Sequence, residues 1–276
     1  MNASQTRIGA VSYLNTLPLV RGLRGDAGFD VRFDVPARCA ALLHEGAIDV
    51  GLIPSIEFLR GDYAIAPDVA IASEGEVASV ALFSRVPVSS IRRVALDTSS
   101  RTSATLIRVL CAERFGIAPA FEAHGPDLEA MLRDHDAALV IGDNALYADH
   151  ARLGLLKVDL GEHWLAHTGL PFVWAFWAGR AEALTDRVCE ALRESRDLGV
   201  RQADAIAAEY AGGDRRREDV ARRYLRENMR YDLGDRHVMA LERFYRSAAA
   251  VGMAPEARPP RFAAALSTGQ RRGTPR

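Results

Sequence analysis

The chain has 276 residues, 49% of them hydrophobic, enough to bury one large core or two smaller ones joined by a hinge. Its 35 basic and 36 acidic side chains leave a formal net charge of −1, so it lacks the overall field that nucleic acid or an anionic membrane surface would need. No run of about eighteen apolar residues occurs, so nothing in it is expected to cross a bilayer.

At the N-terminus, MNASQTRIGAVSYL has neither the apolar run of a secretion signal nor a lipid-anchor cysteine, and a cytoplasmic protein is expected. From there, short β-branched runs alternate with helical patterns: 8–14, 31–35, 50–53, 80–84, 94–96 and 138–141. That alternation predicts βαβ units, an α/β fold and mainly parallel sheets. Thr16 suits the cap of a helix with Pro18 in its early turn, Gly46 a stop after residues 38–45, and Pro54 the opening of another helix. Cys39, Cys111 and Cys189 are widely spaced in apolar helical patterns and read as free buried thiols.

Residues 78–85 and 172–180 are extended, aromatic or β-branched stretches and are read as hinge strands. Lobe one is then 1–90 together with 171–254, and lobe two is 91–170. After Gly179 the pattern is helical over 183–210, 218–228 and 235–251, with these helices expected on lobe one. Residues 255–276 combine four prolines with five arginines and read as a flexible tail.

In parallel sheets, ligands sit beyond the carboxyl ends of strands, where loops lead into helices. After the first strand come Ser12, Asn15 and Thr16. Spacing alone suits an ordinary turn and cap there, and the place at a strand end is what adds a ligand role. The strongest signal lies between Val94 and Leu110, where Ser100, Arg101, Thr102 and Ser103 crowd one helix start. A cap needs only one of them, so an anion site is the preferred reading, with plain exposure the alternative for Arg101. Asp143 and Asn144, after Gly142, suit a cap or a ligand contact equally well. Ser55 and Ser79 could face the cleft, although isolated serines are more often structural. No G-x-S-x-G, H-E-x-x-H, Walker A or G-x-G-x-x-G sequence occurs, and His163 with His167 lacks a third ligand, so no cofactor or metal is implied.

Several segments, taken together and in order, resemble the chorismate dehydratases of the futalosine route to menaquinone. They are SYLNTLPL (12–19), DVGLIPSIEF (49–58), SVALFS (79–84), LDTSSRTS (96–103), IGDNAL (141–146) and DLGEHWLAHTGLPFVWAFW (159–177). The resemblance covers nearly the whole chain up to the arginine-rich tail. It implies the type II periplasmic-binding-protein fold, two α/β lobes with the ligand cleft between them, and loss of water from chorismate to give 3-[(1-carboxyvinyl)oxy]benzoate without a cofactor. On that reading Asn15 is the candidate catalytic residue. Ser12, Thr16, Ser55, Ser79, Ser100, Arg101, Thr102, Ser103, Asp143 and Asn144 are candidate substrate contacts. No protein base emerges from these loops, which leaves the substrate's enolpyruvyl carboxylate as the proton acceptor. The expected partner is this small molecule, with no nucleic acid and no membrane; a homodimer is left open. The sister lyase acting on cyclic dehypoxanthinyl futalosine is similar around DLG, Trp and TGLP, but has a Cys-Pro-Asn-Asp run where this chain has YLNT. A non-enzymatic small-anion binding protein is the other rival, which an export signal would favour.

Overall fold

A computed structural model describes residues 5–263. The first of its two sheets opens with β1 (Thr6–Val11), β2 (Phe29–Asp34), β3 (Val50–Pro54) and β4 (Ala64–Ser73). The chain then crosses to build the second sheet from β5 (Val80–Ser84), β6 (Arg93–Asp97), β7 (Ala120–His124), β8 (Ala137–Ile141) and β9 (Leu156–Asp159). It returns through β10 (Phe172–Gly179), which completes the first sheet. The spatial orders are β2-β1-β3-β10-β4 and β7-β6-β8-β5-β9. The two sheets follow the same plan: three parallel strands, then one antiparallel to both its neighbours, β10 in the first and β5 in the second.

Helices α1 (Leu17–Val20) and α2 (Pro36–His44) belong to lobe one. Lobe two holds α3 (Arg101–Leu110), α4 (Leu128–Met131), α5 (Asp143–Leu146) and α6 (Leu160–Thr168). After β10 come α7 (Asp186–Arg201), α8 (Ala203–Ala211), α9 (Arg215–Arg223) and α10 (Asp235–Ala250). Side-chain caps explain several starts: Ser100 accepts from Ser103 N at α3, Asp159 from Gly161 N and Glu162 N at α6, and Asp214 from Arg217 N at α9. The central strands β3, β5 and β8 are buried along their whole length, which is why they read as continuous apolar runs.

Three expectations need correction. With lobe one expected to run to residue 90, the first crossing is expected near residues 84–91, but β5 pairs with β8 and β9, so the chain leaves the first sheet between Ser73 and Val80. A buried carboxylate fixes that crossing: Asp159 accepts from Val77 N (3.0 Å) and Ala78 N (2.8 Å), and Ala78 takes the left-handed φ of 61° just before Ser79. The C-terminal helices were expected on lobe one, but they span both lobes. Besides the contact of α7 with α1, Tyr210 bonds Asp143, Tyr224 bonds Ser79 and Arg243 pairs with Glu113 of lobe two. Finally, the expected flexible tail is partly built into lobe one. Arg258 reaches the carbonyls of Phe58 and Gly61, and Arg261 and Ala263 pair with Ile65 of β4; the remainder, 264–276, lies outside the described residues.

β4 itself was not expected. Pro67 interrupts its pattern, and the strand accommodates it by a bulge in which Asp68 has φ 67° and pairing with β10 skips from Ile65 to Ala70. Its outer edge is occupied by Arg230, Tyr231 and Arg261, which accept from Ala72 N, Ala70 N and Ile65 N.

Candidate active site

Between the lobes lies a cavity. Lobe one supplies Tyr13, Asn15 and Thr16 from the loop after β1, Pro36 and Pro54 from the start of α2 and the end of β3, and Trp174 from β10. Val77 and Ser79 come from the crossing, and Ser100, Ser103, Ile141 and Gly142 from lobe two. Among the described residues the lining is therefore hydroxyl, amide and apolar, with no charged side chain. The positive character it has comes from the start of α3, where the N–H groups of Arg101 and Thr102 belong to the first turn and have no carbonyl within the helix to bond.

Five of the residues singled out from sequence meet here: Asn15, Thr16, Ser79, Ser100 and Ser103. Asn15 Oδ1 and Thr16 Oγ1 are buried without a partner among the described residues. Ser79 Oγ lies 2.7 Å from the Tyr224 hydroxyl, and Ser100 Oγ lies 3.0 Å from Ser103 Oγ. Trp174 is turned by the bond from its Nε1 to Ser73 Oγ (3.1 Å). Tyr13 packs on Gly142, where φ is 64° and a Cβ would stand 2.8 Å from the phenol ring, so only glycine fits this approach.

The other six stand elsewhere, each for a visible reason. Ser12 is exposed and bonds the carbonyl of Asp34, and Asn144 is exposed. Ser55 and Thr102 face each other across the lobes (Oγ to Oγ1, 3.4 Å), with Ile56 N donating to Thr102 Oγ1 (3.2 Å). Arg101 turns away from the cavity to the wholly buried carboxylate of Glu57 (2.9 Å), which also meets His44 Nε2 (2.9 Å). Asp143 accepts from Leu14 N (3.3 Å) and from the Tyr210 hydroxyl, so it ties both lobe one and α8 to lobe two. Burial pushes its carboxyl above the ordinary range, against the opposing pull of those two donors and of Arg217. With these bonds in place the lobes are closed on each other.

Sequence reasoning gave Tyr13 and Gly142 no ligand role of their own, although both lie in segments it quoted; it set Trp174 with Trp164, Phe172 and Trp177 as aromatics of the hinge, the cleft or the core, and of these four Trp174 lines the cavity; Tyr224 had no signal at all. Burial raises the Tyr13 phenol above its ordinary value, partly offset by its bond to Ser99 Oγ (3.3 Å), so it is a neutral donor at the cavity wall. Asp97, buried at the end of β6, accepts from the Ser99 N–H (2.9 Å) and hydroxyl (2.5 Å) and holds the loop before α3. No group of three or more His, Cys, Asp or Glu suited to a metal occurs among the described residues.

A family model described as menaquinone biosynthesis matches residues 6–250. A chorismate dehydratase of Thermus thermophilus is 35% identical over 218 residues, which cover 72% of this chain and 79% of that protein. Among solved structures, a protein of Archaeoglobus fulgidus superposes with a TM-score of 0.74 at 18% identity, covering 92% of this chain and 100% of its own. The alkanesulfonate-binding protein of Xanthomonas axonopodis pv. citri, solved with MOPS, gives 0.65 at 18% identity, with 93% and 96% covered. At such identities the structures speak for the fold alone, and that fold is the one of the periplasmic binding proteins.

Proposed function

This chain belongs to the menaquinone-biosynthesis family, and from that premise we propose that it is a hydro-lyase converting chorismate to 3-[(1-carboxyvinyl)oxy]benzoate and water. The observation that carries the reading is its kinship to the Thermus thermophilus chorismate dehydratase. The cavity suits the reaction. Chorismate brings two carboxylates, a ring hydroxyl and an apolar ring, and the walls offer a helix start, hydroxyls, an amide and the Trp174 ring.

In the proposed mechanism the start of α3 holds one carboxylate through the free N–H groups of its first turn and the hydroxyls of Ser100 and Ser103. Asn15 and Ser79 orient the ring and its leaving hydroxyl. The ring C–H next to the carbon bearing the hydroxyl gives up its proton, the C–OH bond breaks, the departing hydroxyl takes up that proton from its acceptor and leaves as water, and the ring becomes aromatic, so the enzyme has chiefly to orient and to stabilise charge. With no ionisable carboxylate or imidazole in the lining, the substrate's enolpyruvyl carboxylate is the assigned proton acceptor. Incubating the purified protein with chorismate tests the reading: the aromatic enol ether is expected, and binding without product would replace the enzyme by a receptor.

A further inference from the structure

Ser79 and Asn15 stand in the cavity wall, and behind them lies a hydroxyl from a third part of the chain. Tyr224 opens the π turn Tyr224–Asn228 that follows α9, a local widening of the helix of the kind often found at functional sites. Its side chain is buried, with the residue only 2% exposed, and its hydroxyl lies 2.7 Å from Ser79 Oγ, with the Asn15 side chain also close by. Burial lifts this phenol far above its ordinary value, so it keeps its one proton throughout the working range. One proton and one pair of neighbours leave few arrangements.

Building on the dehydratase reading, we propose that Tyr224 is a positioning residue whose hydroxyl donates to Ser79 Oγ and accepts from the Asn15 amide. Ser79, having accepted, turns its own proton into the cavity. Asn15, having donated, turns its Oδ1 there, a buried oxygen that meets no partner among the described residues. The pair then presents one donor and one acceptor in fixed places. A departing hydroxyl needs both: an acceptor for its own proton while it is bound, and a donor at its oxygen as the C–O bond lengthens. Because the second of these contacts tightens only as the bond breaks, Tyr224 should act on kcat more than on KM.

Tyr224→Phe removes the hydroxyl and keeps the buried ring. Its kcat is expected to fall roughly tenfold to a hundredfold with KM changed less than about threefold. In a Ser79→Ala background the same substitution should cost much less, because the group it positions is gone. A merely structural tyrosine would lower the melting temperature and leave kcat and the cycle untouched. A wild type that leaves chorismate intact overturns the dehydratase reading and this proposal with it. An active wild type overturns the proposal alone if Tyr224→Phe keeps its kcat within about twofold, or if the two substitutions act independently.

Discussion

Asn15 Oδ1 and Thr16 Oγ1 are buried polar oxygens that no described protein group satisfies, and each such oxygen left unmet costs about 1–3 kcal/mol. Their position in the cavity wall makes a hydroxyl-bearing ligand the natural partner. Two carboxylates of the neighbouring loops are engaged in structure, Asp97 through Oδ1 with the Ser99 loop, its Oδ2 buried without a partner among the described residues, and Asp143 with Leu14 N and Tyr210. Asn15→Ala is therefore expected to lower kcat by roughly a hundredfold to a thousandfold, whereas Asp97→Asn and Asp143→Asn lose far less. If either aspartate variant folds, binds chorismate and loses more than about a thousandfold in turnover, the proton goes to that aspartate and not to the substrate. At this scale the sequence was informative about Asn15, Thr16, Ser79, Ser100 and Ser103, because hydroxyls and amides at strand ends are local patterns. It misled at Arg101: an arginine at a helix start suits an anion or a partner carboxylate equally, and Glu57, more than forty positions earlier, decides which.

Elements reached their places by rules that sequence carries unevenly. The buried central strands β3, β5 and β8 were legible as apolar runs, and so was the capped start of α3. The edge strands β7 and β9, with exposed or partly exposed residues and no clean alternation, were not, and Pro67 hid β4. The contacts of α10 with lobe two could not be read locally either. They centre on Glu113, in the π turn Cys111–Phe115 after α3, which meets His167 Nε2 of α6 (3.0 Å) and Arg243 Nη2 of α10 (2.6 Å). Burial pushes the Glu113 carboxyl up, but His167, Arg243 and Ser247 outweigh it, and the carboxyl is held below its ordinary range. A depressed folded value gives stability that is present above the unfolded glutamate value of about 4.3 and is lost as pH falls through the folded one. Melting temperatures followed from pH 7 to pH 3 should thus fall more steeply below about pH 4 in the wild type than in Glu113→Gln. Parallel curves would mean that Glu113 contributes nothing to the acid limb.

The whole molecule is held closed by a seam of polar bonds outside the cavity. Arg101 to Glu57, Thr102 to Ser55 and Ile56 N, and Ala37 N to the carbonyl of Ser99 all join lobe one to the start of α3. Arg101 is half exposed and reaches Glu57 from a surface hollow separate from the cavity, so Arg101→Leu should fold. It weakens closure without touching substrate. A roughly threefold to thirtyfold rise in KM with kcat changed less is the expected result, together with a larger radius of gyration in solution scattering with chorismate present. Unchanged KM and scattering would leave the seam without a role in closure. The division of the chain into two lobes was legible in the alternation of strands and helices. The closing seam was not, because its partners lie 44 or more positions apart and pair only once both sheets exist. A last consequence concerns neighbouring copies of the protein. β4 is the longest strand and ends its sheet, a natural template for strand addition by another chain. With Arg230, Tyr231 and Arg261 already accepting from its outward N–H groups at Ala72, Ala70 and Ile65, those positions are capped from within, residues 230–231 holding one end of the edge and the start of the segment that looked like a loose tail the other, so none of these three N–H groups is left to template a further strand.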